Sequence, residues 1–75
     1  MSKEAIKIKI RDGEDFIKLG QLLKATALVS SGVEAKIVIQ EGHVLVNNQV
    51  DTRRGKKIYP GDIVTFEDQD VRVEK

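Results

Sequence analysis

Near the start of the chain, Ala5-Ile6-Lys7-Ile8-Lys9-Ile10-Arg11 alternates apolar and polar side chains. A two-residue period sends every second side chain to one face of an extended backbone, so a half-buried strand is predicted, with its lysines toward solvent. Asp12-Gly13 ends it. The period then changes. Leu19, Leu22, Leu23 and Thr26 recur at three- and four-residue spacing, which gathers them on one side of a first helix running from Leu19 to about Thr26.

Ser31-Gly32-Val33-Glu34 has the form of a capping box, in which the serine oxygen accepts from a free helix amide and the glutamate reaches back to the cap. A second helix is therefore predicted to start near Gly32, to bury Ala35, Val38 and Ile39, and to end at Gly42, where a left-handed residue lets the chain leave. Val33 and Ile37 fall on its other side. Exposed apolar stripes are avoided in monomers, so the N-terminal or the last strand is expected to cover them. The competing reading makes them a partner or dimer surface.

Val44-Leu45-Val46 and Gln49-Val50 flank Asn47-Asn48, a pair that tolerates the positive φ angles of a tight hairpin turn. In Tyr59-Pro60-Gly61-Asp62, proline and glycine are the central residues of a type II turn, and Ile63-Val64-Thr65-Phe66 follows as a strand. After an acidic turn, Glu67-Asp68-Gln69-Asp70, the run Val71-Arg72-Val73 reads as a short last strand. The predicted order is β-α-α-β-β-β-β. The fold class is α+β, with two helices packed on a small, mostly antiparallel sheet.

Composition narrows the picture. With 75 residues, 40% of them hydrophobic and 33% charged, the chain fits one globular domain, taken as 1–75. It has no cysteine and one histidine, so neither thiolate zinc sites nor a cysteine nucleophile enters, and no metal or other cofactor is expected. No segment approaches the roughly 20 apolar residues of a membrane span, and the start lacks the apolar stretch of a signal peptide, so a cytoplasmic protein is expected.

A formal net charge of +1 does not itself mark a nucleic-acid binder. The placement of the charges matters more. Arg53, Arg54, Lys56 and Lys57 crowd around Gly55 between strands, where they are either a solvated loop or free to reach phosphates. On the second helix, Lys36 and Gln40 lie one turn apart beside the core stripe and offer a polar strip, and Lys18 stands at the start of the first helix. His43 is a peripheral candidate, and Lys24 reads as merely solvated. Phe16, Tyr59 and Phe66 are too few for a platform that stacks splayed bases. Ser30 and Ser31 lack a helper histidine, Asp12, Glu14 and Asp15 do not follow a calcium-loop pattern, and Gly55 lacks the spacing of a nucleotide-binding loop. No catalytic constellation emerges.

The run from Lys18 to Asp62 resembles the S-four RNA-binding domain, also called the alpha-L motif. The matching residues are Leu19 and Leu22-Leu23-Lys24, Ser31 with Glu34-Ala35-Lys36, then Val38-Ile39, Gly42-His43-Val44, Val46-Asn47 and Pro60-Gly61-Asp62-Ile63. Gly32 stands where the family usually has arginine, Gly20 where it has aspartate, and Asn48 where it has a turn glycine. The Ser-Gly start, the Ala-Lys-Ile run and the added N-terminal strand look most like small stand-alone bacterial members. The resemblance implies that the helices and the following hairpin face RNA, with 18–62 as the motif core.

Three function classes follow. The first is a module docking on structured RNA, most plausibly ribosomal RNA or a ribosome assembly intermediate, through Lys18, Lys36, Gln40, His43, Arg53, Arg54, Lys56 and Lys57. It would act as a monomer, with the ribosome or assembly factors as further partners and no membrane. The second is a protein-interaction module that keeps the fold with weak or no RNA affinity, consistent with the low net charge, Gly32 and the Val33/Ile37 stripe. An enzyme acting on RNA is the least supported.

Overall fold

A computed structural model of the chain describes residues 4–75. Their order is β1 (Ile6–Lys9), β2 (Ile17–Lys18), α1 (Leu19–Ala25), α2 (Gly32–Gln40), β3 (Val44–Val46), β4 (Gln49–Val50), β5 (Lys57–Ile58), β6 (Ile63–Phe66) and β7 (Gln69–Glu74). Five strands form one sheet in the order β1-β7-β6-β3-β4, and β2 pairs with β5 in a second, two-stranded sheet. All pairings are antiparallel except that of β1 with β7.

Both helices use the faces expected of them. Leu19, Leu22 and Leu23 of α1 and Ala35 and Ile39 of α2 are buried with Val44, Val64, Val71, Val73 and Ile58 in one core, and Val38 packs at its margin. Each fully buried aliphatic side chain of this kind contributes about 1.5–3 kcal/mol, which matters in a fold this small with no cross-link. Thr26, the last residue of the predicted α1 stripe, caps the helix and returns its hydroxyl to the Leu22 carbonyl at 2.9 Å.

The two helices end alike. At α2, Gly42 (φ 82°) lets its own N–H reach the Ile39 carbonyl, and the next N–H, of His43, reach that of Val38. This closes a Schellman motif. At α1 the same two bonds run from Ala27 to Lys24 and from Leu28 to Leu23, with Ala27 forced to φ 60°.

Asn47 (φ 51°) and Asn48 (φ 68°) make the expected hairpin turn between β3 and β4. Asn47 also does something that a turn preference does not predict. Its side-chain carbonyl accepts from Ile63 N–H at 3.0 Å, and its Nδ2 donates to Asp62 Oδ1 at 3.1 Å. Asp62 Oδ2 in turn accepts from Tyr59 N–H across the Pro60-Gly61 turn. One amide and one carboxylate thus lock two turns together.

Three expectations are corrected. The two-residue strands β2 and β5 were not anticipated, and Lys57 belongs to β5 rather than to a loop. The acidic turn is only Glu67-Asp68 (φ 51° and 65°), so Gln69 and Asp70 are already part of β7. Among the described residues no strand covers the second stripe of α2: β1 lies at the edge of the sheet beside β7, and Val33 and Ile37 are 69% and 50% exposed.

A left-handed alanine costs about 1 kcal/mol relative to glycine. Ala27→Gly is therefore expected to raise stability by about that amount, read as a higher urea midpoint at unchanged slope. Asn47→Ala loses its two hydrogen bonds and keeps a positive φ, and is expected to lower stability by about 1–2 kcal/mol in the same assay.

Candidate nucleic-acid interface

The basic segment 53–57 is held by its backbone. Helix α1 has no side-chain cap, since its N-cap residue is Lys18. Its first amides are satisfied instead from the segment opposite: Leu19 N–H donates to the Lys56 carbonyl at 2.9 Å and Gly20 N–H to the Arg54 carbonyl at 3.1 Å. The β2–β5 pairing continues this seam, setting Ile17 opposite Ile58 and Lys18 opposite Lys57. Two lysines directly across a ladder repel each other, a cost that an anion would relieve.

Gly20 is what lets the segment come so close. A Cβ there would lie 2.8 Å from Arg54 Cγ, so the arginine stem rests on the bare backbone of α1. The glycine standing at the family's aspartate position is thus explained by packing.

The four clustered cations are not equivalent. Arg53 is not free as expected: its Nε and Nη2 donate to Asp51 at 3.1 and 2.9 Å, and its backbone N–H joins the same carboxylate. This is the one salt bridge among the described residues. The guanidinium beside Asp51 holds that carboxyl below its ordinary range, and the carboxylate raises the arginine in return. Lys57 places its Nζ 5.0 Å from the Phe16 ring centre, and Phe16 meets Tyr59 at 5.8 Å between ring centres. Arg54 and Lys56 are in no salt bridge among the described residues, although the Lys56 charge also helps to lower the Asp51 carboxyl.

Lys36 and Gln40 stand on the outward face of α2, next to the exposed Val33 and Ile37. His43 is exposed at the helix end, where its backbone closes the cap. None of these three lines the cleft of about 330 Å³ between the two helices, whose walls are Lys18, Lys24, Arg54 and the glycines 20, 32 and 55, with Gln21 and Ala35. Lys24, read from sequence as merely solvated, therefore stands with Lys18 and Arg54. Only the juxtaposition of both helices with segment 53–57 reveals this.

The cap of α2 also differs from expectation. Ser31 Oγ accepts from Glu34 N–H at 3.1 Å as predicted, but the glutamate reaches one residue further back, to the N–H and hydroxyl of Ser30 at 2.6 and 3.0 Å. Those donors hold the Glu34 carboxyl below the usual glutamate range. Among the described residues there is no grouping of acidic and histidine side chains able to hold a metal, and no helix long and apolar enough to cross a membrane.

A helix pair set against a hairpin, with a basic segment docked on the first helix, defines a class. The chain belongs to the S4 domain family, whose model matches residues 8–74. It is 47% identical over 53 residues to the Bacillus subtilis (strain 168) protein named "Probable ribosome maturation protein RlbA", covering 71% of this chain and 75% of that one. It is 42% identical over 57 residues to the Escherichia coli (strain K12) protein named "Putative RNA-binding protein YbcJ", covering 76% and 81%. The solution structure of E. coli YbcJ superposes with a TM-score of 0.71 at 32% identity, over 100% of this chain and 94% of that one, and is described as revealing an alpha-L motif involved in RNA binding.

A carboxyl whose pKa is depressed in the folded state stabilises the fold fully above its ordinary value, and that contribution is lost as pH falls through the depressed one. Glu34→Gln is therefore expected to be less stable than the parent near neutral pH, with the gap closing on acidification. Urea unfolding across a pH series checks this, and a gap that stays constant into acid would refute it.

Proposed function

We propose that this protein is a non-enzymatic, monomeric cytoplasmic module, one domain with 18–62 as its motif core, that docks on structured RNA. Ribosomal RNA or a ribosome assembly intermediate is the partner the relatives favour, since one of them is named for ribosome maturation and another for RNA binding. The observation that carries the reading is the anchoring of segment 53–57. Carbonyl groups tie its backbone to α1, which leaves Arg54, Lys56 and Lys57 to project from a fixed base beside Lys18. Cations on a fixed base lose less freedom on meeting phosphates than cations on a loose loop.

Lys36 and Gln40 extend the contact along α2, His43 lies at its edge, and Arg53 contributes less because Asp51 already engages it. With three aromatic residues, recognition rests on phosphates and A-form shape rather than on stacked bases. A second reading, a protein-interaction module, is favoured by one observation, the exposure of Val33 and Ile37.

Binding of a structured ribosomal RNA fragment, followed by fluorescence anisotropy, is expected to weaken linearly on a log–log plot against salt. Replacing Arg53, Arg54, Lys56 and Lys57 together by alanine is expected to reduce the slope by about three rather than four, because Arg53 is already paired. Arg53→Ala alone should change affinity less than Arg54→Ala. Unchanged affinity in the quadruple variant removes this site. Loss of ribosome association on Val33→Ser/Ile37→Ser with RNA affinity intact would favour the second reading.

A further inference from the structure

The cleft between α1, α2 and segment 53–57 is not explained by a merely basic surface. Three cationic residues line it, Lys18 of β2, Lys24 of α1 and Arg54 of segment 53–57, and no acidic residue does among the described residues. Among the described residues none of the three is in a salt bridge. Glu34, the acid nearest the start of α2, is turned onto Ser30. Glu14 and Asp15 stand on the outer side of Lys18 and Lys24, in neighbouring hollows, and like charges with no acid inside the cleft itself repel one another, so an anion that enters it is favoured.

The walls fit a small anion. Gly20, Gly32 and Gly55 line the cleft, and a Cβ on Gly32 or Gly55 would meet nothing within 4 Å, so the space beside them is open. Arg54 is positioned in advance, because its stem lies on Gly20 and its carbonyl accepts from Gly20 N–H. The remaining polar side chain of the lining, Gln21, adds an amide donor. A volume of about 330 Å³ is at the small end of ligand clefts, too small for a helix to enter and large enough for one phosphate with part of its sugar.

We infer that this cleft seats a single backbone phosphate of RNA, held by Lys24 together with Lys18 and Arg54, and so fixes the register of the chain on its target. The inference rests on the RNA-docking reading and adds Lys24 and the glycine walls to it. Contacts along an open surface tolerate sliding, whereas a seat bounded by two helices and a turn admits one phosphate in one place.

The test uses the full chain labelled with 15N. Titration with inorganic phosphate is expected to shift the amide signals of Gly20, Gly32 and Gly55 saturably, while those of Gly13, Gly42 and Gly61 stay in place. In Lys24→Ala and Arg54→Ala the three shifts should be lost, and in Lys7→Ala, on edge strand β1 and outside the cleft lining, they should persist. Anisotropy with a short RNA duplex is the second arm. There Lys24→Ala should bind about tenfold more weakly, with a salt slope reduced by about one.

Wild-type slope and affinity in Lys24→Ala overturn the seat and leave the docking reading standing. If the parent protein binds no RNA and phosphate still shifts the three glycines, the RNA source falls and a free phosphate takes its place. Shifts spread evenly over all lysine-bearing segments, unchanged by Lys24→Ala, overturn the cleft as a site of any kind.

Discussion

Two hydrogen bonds hold the functional half of this molecule together: those by which the carbonyls of Lys56 and Arg54 cap the first amides of α1. A helix begins with four N–H groups that have no partner in the helix, and most helices satisfy some of them with a serine, threonine or aspartate side chain. Here Lys18 sits at the cap and offers no acceptor. The acceptors come instead from a segment more than thirty positions away. The helix therefore has a well-formed start only when the basic segment is in place, and the basic segment has a fixed shape only when the helix is formed.

Other features follow from that seam. Gly20 must lack a side chain for Arg54 to lie against the helix. Ile58 is carried into the core by its pairing with Ile17, which anchors the far end of the segment. Asp62, bonded to Asn47 and to Tyr59 N–H, fixes the exit from the segment relative to the hairpin. The matched Val-Asn and Pro-Gly-Asp elements of the sequence are in this view one device. It holds the hairpin, the turn and the basic segment in a single arrangement, and the cations project from that arrangement.

Much of this was legible in the sequence. Apolar spacing located both helices, a serine cap and a glycine end bounded the second, and alternation found the first strand, because each is a local consequence of backbone geometry. The two-residue strands β2 and β5 carry no period of their own and exist only because they meet. The turn is shorter than its acidic run suggests, because Glu67, unlike Asp68, is not a residue that positive φ usually selects and so does not mark the two-residue turn. In the candidate site, the cluster around Gly55 was visible as charge. Its inequality has a sequence signal too, since Asp51 stands two positions before Arg53, within reach of its guanidinium. Lys24 is not assignable from sequence, because the residues it meets beyond its own helix lie on β2, α2 and segment 53–57.

The parallel pairing of β1 with β7 has a consequence for how the chain is made. β1 is made before every other element of the domain and the strand beside it after them; the side chain of Gln69 reaches back 65 positions to the carbonyl of Glu4. No other pairing among the described residues spans so much of the chain, the next being that of β2 with β5 across the helix pair and the hairpin, so β1 waits longest with Ile6, Ile8 and Ile10 unburied. Contacts of such separation form late because closing a long loop costs entropy before any contact repays it. Lysines alternating with those isoleucines keep the waiting strand hydrated and mutually repulsive between nascent copies. The charges on this edge then act during synthesis, before there is a fold for them to decorate.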